Sequence, residues 1–205
     1  MKKTLLALFI LFGTVLTVKA QDDELLPRFS AGFGVGVTTG PQHSGFPAAG
    51  SLGLKGEYPI AGSPVCITAS VAYQFYVSSD GYNYSYNSNY GESTTGTIAS
   101  FVPVMAGARV YVNKLFFEGD VGASFNLNSG KSYTAQKVAP ILSPSIGYGF
   151  RFGSSQKIGL DLSLSYETRL EKTQTPSDPS TVSPYISGYG AYNLVAFHVA
   201  FSLGL

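Results

Sequence analysis

The chain has 205 residues, with 13 Lys or Arg against 12 Asp or Glu and a formal net charge of +1. That length fits about one domain, the near-neutral balance excludes the basic surface a nucleic-acid partner requires, and a single cysteine, Cys66, excludes an internal disulfide. Only 12% of the residues are charged, while Gly, Tyr and Phe number 24, 14 and 14, so water-facing area is scarce and small and aromatic side chains abound.

Residues 1–20 read as a signal peptide. Lys2-Lys3 is a basic start, Leu5 to Val18 is an apolar run short of a membrane span, and Val18-Lys19-Ala20 is a small-residue cleavage pattern. A retained anchor helix is the alternative. Cleavage removes Lys2, Lys3 and Lys19, so ten of the 13 basic residues remain against 12 acidic ones. Residues 21–27 form a short polar leader, expected to be periplasmic, and residues 28–205 a single β domain.

The first predicted strand runs from Arg28 to Thr38, with Phe29, Ala31, Phe33, Val35 and Val37 on one face and Arg28, Ser30, Gly32, Gly34 and Gly36 on the other. A loop with Gly40-Pro41 follows. Ala48 to Tyr58 is a second strand, with Lys55 and Glu57 opposite Leu52, Leu54 and Tyr58. Pro59 to Pro64 is a tight connection. Val65 to Val77 alternates Ile67, Val71 and Phe75 with Cys66, Thr68 and Gln74. Residues 78–96 are a long polar loop. Strand four starts near Thr97 and forms a hairpin with strand five about Asn113-Lys114. A two-residue turn there sets Val112 opposite Leu115 and Arg109 opposite Glu118. Strands six (Ile141 to Phe152), seven (Lys157 to Leu170) and eight (Gly188 to Leu205) repeat the alternation, separated by the short Gly153–Gln156 and the long Glu171–Ser187.

The sequence therefore predicts an all-β fold of eight strands whose connections alternate long and short, as in an antiparallel up-and-down transmembrane β-barrel with short periplasmic turns. Each oily face, taken alone, suits either a core or lipid. The charges decide between them. When each outward face is assigned by its apolar residues, Arg28, Lys55, Glu57, Arg109, Glu118, Asp120, Arg151, Lys157, Asp161, Glu167 and Arg169 all fall inward. A soluble barrel would carry them outside, whereas a mid-membrane Arg or Lys on the lipid face costs about 2–4 kcal/mol. Inward glycines make room for the long side chains. Outward Phe29, Tyr58, Tyr73, Phe75, Phe117, Phe152 and Phe201 fall near strand ends, as in aromatic girdles. Pro103 and Pro144 interrupt strand-like text, and their expected place is the outer rim, at strand starts or bulges.

The stretch Phe101-Val102-Pro103-Val104-Met105-Ala106-Gly107-Ala108-Arg109-Val110-Tyr111, with Ile146 to Phe152 and Leu162 to Tyr166, resembles the outer-membrane β-barrel domain family of small Gram-negative proteins, including PorT-like members and OmpA-type eight-stranded barrels. The resemblance implies a monomer in the bacterial outer membrane, with membrane lipid and the barrel insertion machinery as partners. The end Phe201-Ser202-Leu203-Gly204-Leu205 departs from the terminal aromatic residue such barrels often carry.

Three functional readings follow. In the first, inward charges form a lumen network, with Arg109, Glu118 and Asp120 as one part and Lys157, Asp161, Glu167 and Arg169 as another, joined by Arg151; the network plugs the barrel, or lines a narrow or gated pore. In the second, Tyr82, Tyr84, Tyr86 and Tyr90 among Asn and Ser form a loop surface for an extracellular ligand, or extend a hairpin. In the third, a rim Ser and His act on lipid. His43-Ser44 has no orienting carboxylate nearby in sequence, and His198 reads as an inward hydrogen-bonding residue in the periplasmic half of its strand, so no catalytic residue, cofactor or metal site is expected.

Overall fold

A computed structural model describes residues 26–40, 46–77, 99–127, 136–153, 156–171 and 191–205. The expected signal peptide, His43-Ser44 and the tyrosines from Tyr82 to Tyr90 lie outside them. Eight strands form one closed antiparallel barrel in sequence order: β1 (Arg28–Thr39), β2 (Ala48–Pro59), β3 (Val65–Val77), β4 (Ala99–Val112), β5 (Leu115–Asn126), β6 (Val138–Phe152), β7 (Ile158–Leu170) and β8 (Ala191–Gly204). The up-and-down eight-stranded class predicted from the alternation is the observed fold. β6 starts three residues before the sequence suggested, because Val138 and Pro140 continue the outward row.

The connections that the structure describes at one end are tight. Val112 pairs with Leu115 and Arg109 with Glu118, so the Asn113-Lys114 turn has the predicted register. Asn113 takes φ 58°, a left-handed conformation that Asn tolerates better than most residues. In the β2–β3 turn, Ser63 N–H donates to the Ile60 carbonyl at 3.1 Å and Gly62 takes φ 70°, the signature of a type II turn. At this same end the Leu205 N–H donates to the Pro27 carbonyl at 2.9 Å. We call it the turn end and the opposite rim the loop end.

The register fixes the shape. One row of partners runs Phe29, Gly56, Ala69, Ala106, Val121, Leu142, Thr168, Asn193 and returns to β1 at Thr39, ten residues beyond its start. At about 3.3 Å per residue and about 4.8 Å between strands, that stagger tilts the strands by about 40° and gives a backbone radius of about 8 Å. A ring of that size has room for side chains and little else.

Alternation then sorts the residues. Among the described residues the outside carries 31 large apolar side chains, each at least 38% exposed, while Arg109, Glu118, Asp120, Asp161, Glu167 and Arg169 are 2–5% exposed inside. Phe29, Tyr58, Phe117, Phe150, Phe152 and Phe201 ring the outer wall near the turn end, and Tyr73, Phe125 and Tyr166 stand toward the loop end. Phe75 lies across Gly50, where an added Cβ would meet its ring at 2.4 Å, so this expected girdle residue is half-buried.

The prolines do not sit where the sequence suggested. Pro103 is the fifth residue of β4 and buried, and Pro144 is the seventh of the 15 residues of β6. Neither marks a bulge. The β3–β4 ladder steps from Val71–Val104 to Gln74–Phe101, and the β6–β7 ladder from Leu142–Thr168 to Ser145–Ser165, each without a change of register. Each proline lies in one of these gaps, and its other side stays paired, Pro103 with Ser124 and Pro144 with Gly119. A proline lacks one donor, so it interrupts the ladder that would have used it and spares the other.

Candidate functional site

The lumen holds three layers. Nearest the turn end is a charged network. Arg109 of β4 is its hub: Nη1 lies 2.9 Å from Glu57 Oε2 and 2.9 Å from Asp161 Oδ2, and Nη2 lies 2.7 Å from Glu118 Oε2. Its guanidinium rests 4.0 Å above the Phe116 ring. Lys55 of β2 reaches across to Glu118, and to Asp120 at 3.3 Å, while Thr68 Oγ1 donates to Asp120 Oδ1 at 2.7 Å. Arg151 pairs with Asp161 at 2.5 Å, and Tyr111 OH donates to Glu57 Oε1 at 2.8 Å. Arg28 closes the rim by donating to the Gln156 carbonyl at 3.3 Å. Lys55, Arg109, Arg151 and Arg28 thus stand against Glu57, Glu118, Asp120 and Asp161. Buried charges persist only when paired, and removing one partner of such a pair costs about 3–5 kcal/mol.

At the loop end the seal is apolar. Tyr76, Phe101 and Tyr192 form a triangle of edge-on rings with centroids 5.4, 5.7 and 5.4 Å apart. Phe46 folds in from the segment before β2, and Ala49, Ala99, Leu194 and Ala196 fill between. Thr38 Oγ1 donates to the Phe46 carbonyl, pinning that segment over the rim. Arg169 stacks its guanidinium 4.6 Å from the Phe101 ring, pairs with Glu171 and donates to the Gln136 carbonyl at 3.2 Å.

Between the two lies a chamber of about 120 Å³, walled by seven serines together with Gln74, Met105, Glu167, His198 and several Gly and Ala residues, and bounded on the turn-end side by Lys55, Arg109, Asp120 and Asp161. That is room for roughly four waters at liquid density. Here Glu167 accepts from the Gln74 amide, and from Ser165 Oγ at 3.3 Å. His198 Nε2 lies 2.9 Å from Ser165 Oγ and 3.3 Å from Glu167 Oε1. The other ring nitrogen faces Gly34, where an added Cβ would come within 2.4 Å of Nδ1.

The predicted network is regrouped by this geometry. Arg109, Glu118, Asp120, Arg151 and Asp161 come together. Asp161 does not join Glu167 and Arg169 as the sequence suggested, because Arg109 and Arg151 reach it first; Glu167 belongs to the chamber and Arg169 to the loop-end layer. Lys157 stands exposed just before β7 and joins no ion pair among the described residues. One residue from the strand start, its side chain has water within reach and no reason to enter the lumen. His198, expected toward the turn end of its strand, sits in mid-lumen.

Sequence reasoning read Lys55 and Glu57 as inward but assigned them to neither named part of the network, since which strands meet across a lumen depends on the stagger. Tyr111 and Phe116 were legible from parity: both fall on the inward faces of the β4–β5 hairpin. The inward parity of Tyr76 and Phe101 likewise pointed to the aromatic seal.

No family model matches the chain, and no curated protein matches it. Among solved structures it is similar to the outer membrane protein OprG from Pseudomonas aeruginosa, at 8% identity and a TM-score of 0.43, over 91% of this chain and 98% of that one. It is also similar to a NanC porin structure, at 10% identity and a TM-score of 0.29, over 87% of this chain and all of that one.

Proposed function

We infer that the chain is an integral barrel of the bacterial outer membrane, monomeric and non-enzymatic, whose lumen is plugged and whose role is structural or exercised through its loops. The observation that carries this reading is the inverted distribution of side chains. Outward positions of the eight strands hold no Asp, Glu, Lys or Arg, and 31 large apolar side chains face out. Contiguous exposed apolar surface on a soluble monomer rarely exceeds a few hundred Å², whereas hydrocarbon requires a continuous apolar belt. The strands are 12–15 residues long. Tilted by about 40°, they rise about 30–37 Å, enough to cross a hydrocarbon core of about 30 Å. Short turns belong on the periplasmic side, which would place Pro27 and Leu205 there and the tyrosine-bearing loop outside.

Support for the plug is that Glu57, Glu118, Asp120 and Asp161 each pair with Lys55, Arg109 or Arg151 at the turn end. Support for a non-catalytic role is the Ser165–His198–Glu167 geometry: one nitrogen, Nε2, meets both the hydroxyl and the carboxylate, whereas a relay needs the two on opposite nitrogens. A narrow or gated channel is the second reading, favoured by the chamber, which already supplies polar volume halfway through. Refolded protein added to a planar bilayer decides between them. The plugged reading expects a heat-modifiable barrel on a gel and no steady conductance; sustained large single-channel currents overturn it.

A further inference from the structure

Six carboxylates face the described lumen. Glu57 and Asp161 are held by Arg109, Glu118 by Arg109 and Lys55, Asp120 by Lys55, and Glu171 by Arg169. Glu167 is the exception. It is 5% exposed, and among the described residues its partners are the Gln74 amide, the Ser165 hydroxyl and the His198 ring. None of these carries a permanent positive charge. A buried carboxylate left with neutral donors alone is costly, so it must take up a proton, find an imidazolium or hold a cation. The other charged or titratable groups around it are Lys55, Tyr76, Arg109, Asp120, Asp161 and Arg169; each charged one is engaged in an ion pair of its own, and Tyr76 belongs to the aromatic seal.

The space beside Glu167 suits a cation. The chamber's about 120 Å³ admits an ion with part of its water shell, and serine hydroxyl oxygens come to it from β1, β2, β3, β6 and β7. The Ser70 hydroxyl has no hydrogen-bond partner among the described residues, and it lines the chamber. His198 leaves 27% of its side-chain surface open in mid-lumen, against that same space. We propose that the chamber is a binding site for one small monovalent cation, of the ammonium or alkali type, held by Glu167 and the surrounding hydroxyls. The site holds whether or not the lumen conducts.

The test uses the full chain, refolded in detergent, and its thermal unfolding midpoint read from heat-modifiable migration. Ammonium chloride replaces N-methylglucamine chloride at constant ionic strength, the bulky cation serving as the one that cannot enter. The midpoint should rise with ammonium by about 2–4 °C. Glu167→Gln should abolish the rise. An equal rise in Glu167→Gln, or none in the natural protein, overturns the site. Should Glu167→Gln fail to fold, magnetisation transfer from ammonium protons to the His198 ring in the natural protein gives the same decision. Transfer supports the site, and its absence overturns it.

Discussion

The two ends of the lumen are lined by different physics. At the turn end, Lys55, Arg109 and Arg151 interlock with four carboxylates, and the contacts are directional. At the loop end, Tyr76, Phe101, Tyr192 and Phe46 fill the bore with neutral rings that pack without pairing. The plug is therefore intolerant: taking away one group strands others in a medium that cannot hydrate them. The aromatic layer is forgiving, since a lost ring leaves a void that neighbours or water can enter.

The most severe break of this contrast is Arg109→Met. It leaves Glu57, Glu118 and Asp161 short of their shared cation and should destabilise the barrel by about 3–5 kcal/mol, read as a large fall in the heat-modification midpoint. Phe101→Ala at the other end should cost about 3 kcal/mol. It should also speed labelling of a Ser165→Cys reporter, in a Cys66→Ala background, by a small charged thiol reagent added to the folded protein, because the ring that covers the chamber is gone. Faster labelling from plug disruption than from ring removal would reverse the assignment of the tighter end.

Glycine substitutions sharpen the comparison at a smaller scale. Gly107→Ala would drive a methyl to within 2.2 Å of both the Asp120 carboxylate and the Gly119 carbonyl, so a cost of about 1–3 kcal/mol is expected. Gly119→Ala, one strand over and facing outward, meets nothing within 4 Å and should be neutral or slightly stabilising in the same melt. The smallest effect belongs to the turn. Asn113→Ala at φ 58° should cost about 1 kcal/mol, and Asn113→Gly should restore the lost midpoint.

The outer wall was legible because it is written with period two, and a strand has only two faces to assign. The Arg109–Glu118 pairing was legible because a two-residue turn at Asn113-Lys114 sets its own register. The grouping of Asp161 with Arg109 was not. Those residues lie three strands apart, and the ten-residue stagger decides which levels of the wall meet across the bore, a quantity no local pattern encodes. The prolines misled for a related reason: a missing donor reads as a strand end in one dimension, whereas in a sheet it costs one ladder on one side. Lys157 misled because parity says nothing about how near a residue is to water.

Seven of the eight ladders join strands that are neighbours in the chain, and only β1 with β8 joins distant ones. That last ladder has an unusual surface. On β1 the lumen-facing positions 32, 34 and 36 are all glycine, and a Cβ at any of them would strike β8, against the Val199 carbonyl, the His198 ring or the Val195 carbonyl. The ring can thus shut like a zip with one smooth edge: β8 meets bare backbone along the middle of its partner, with no side chains to reorder as the two edges find register. Filling that smooth edge would set side chains against β8 along the ladder that closes the ring, so the glycine row is what lets the first and last strands approach.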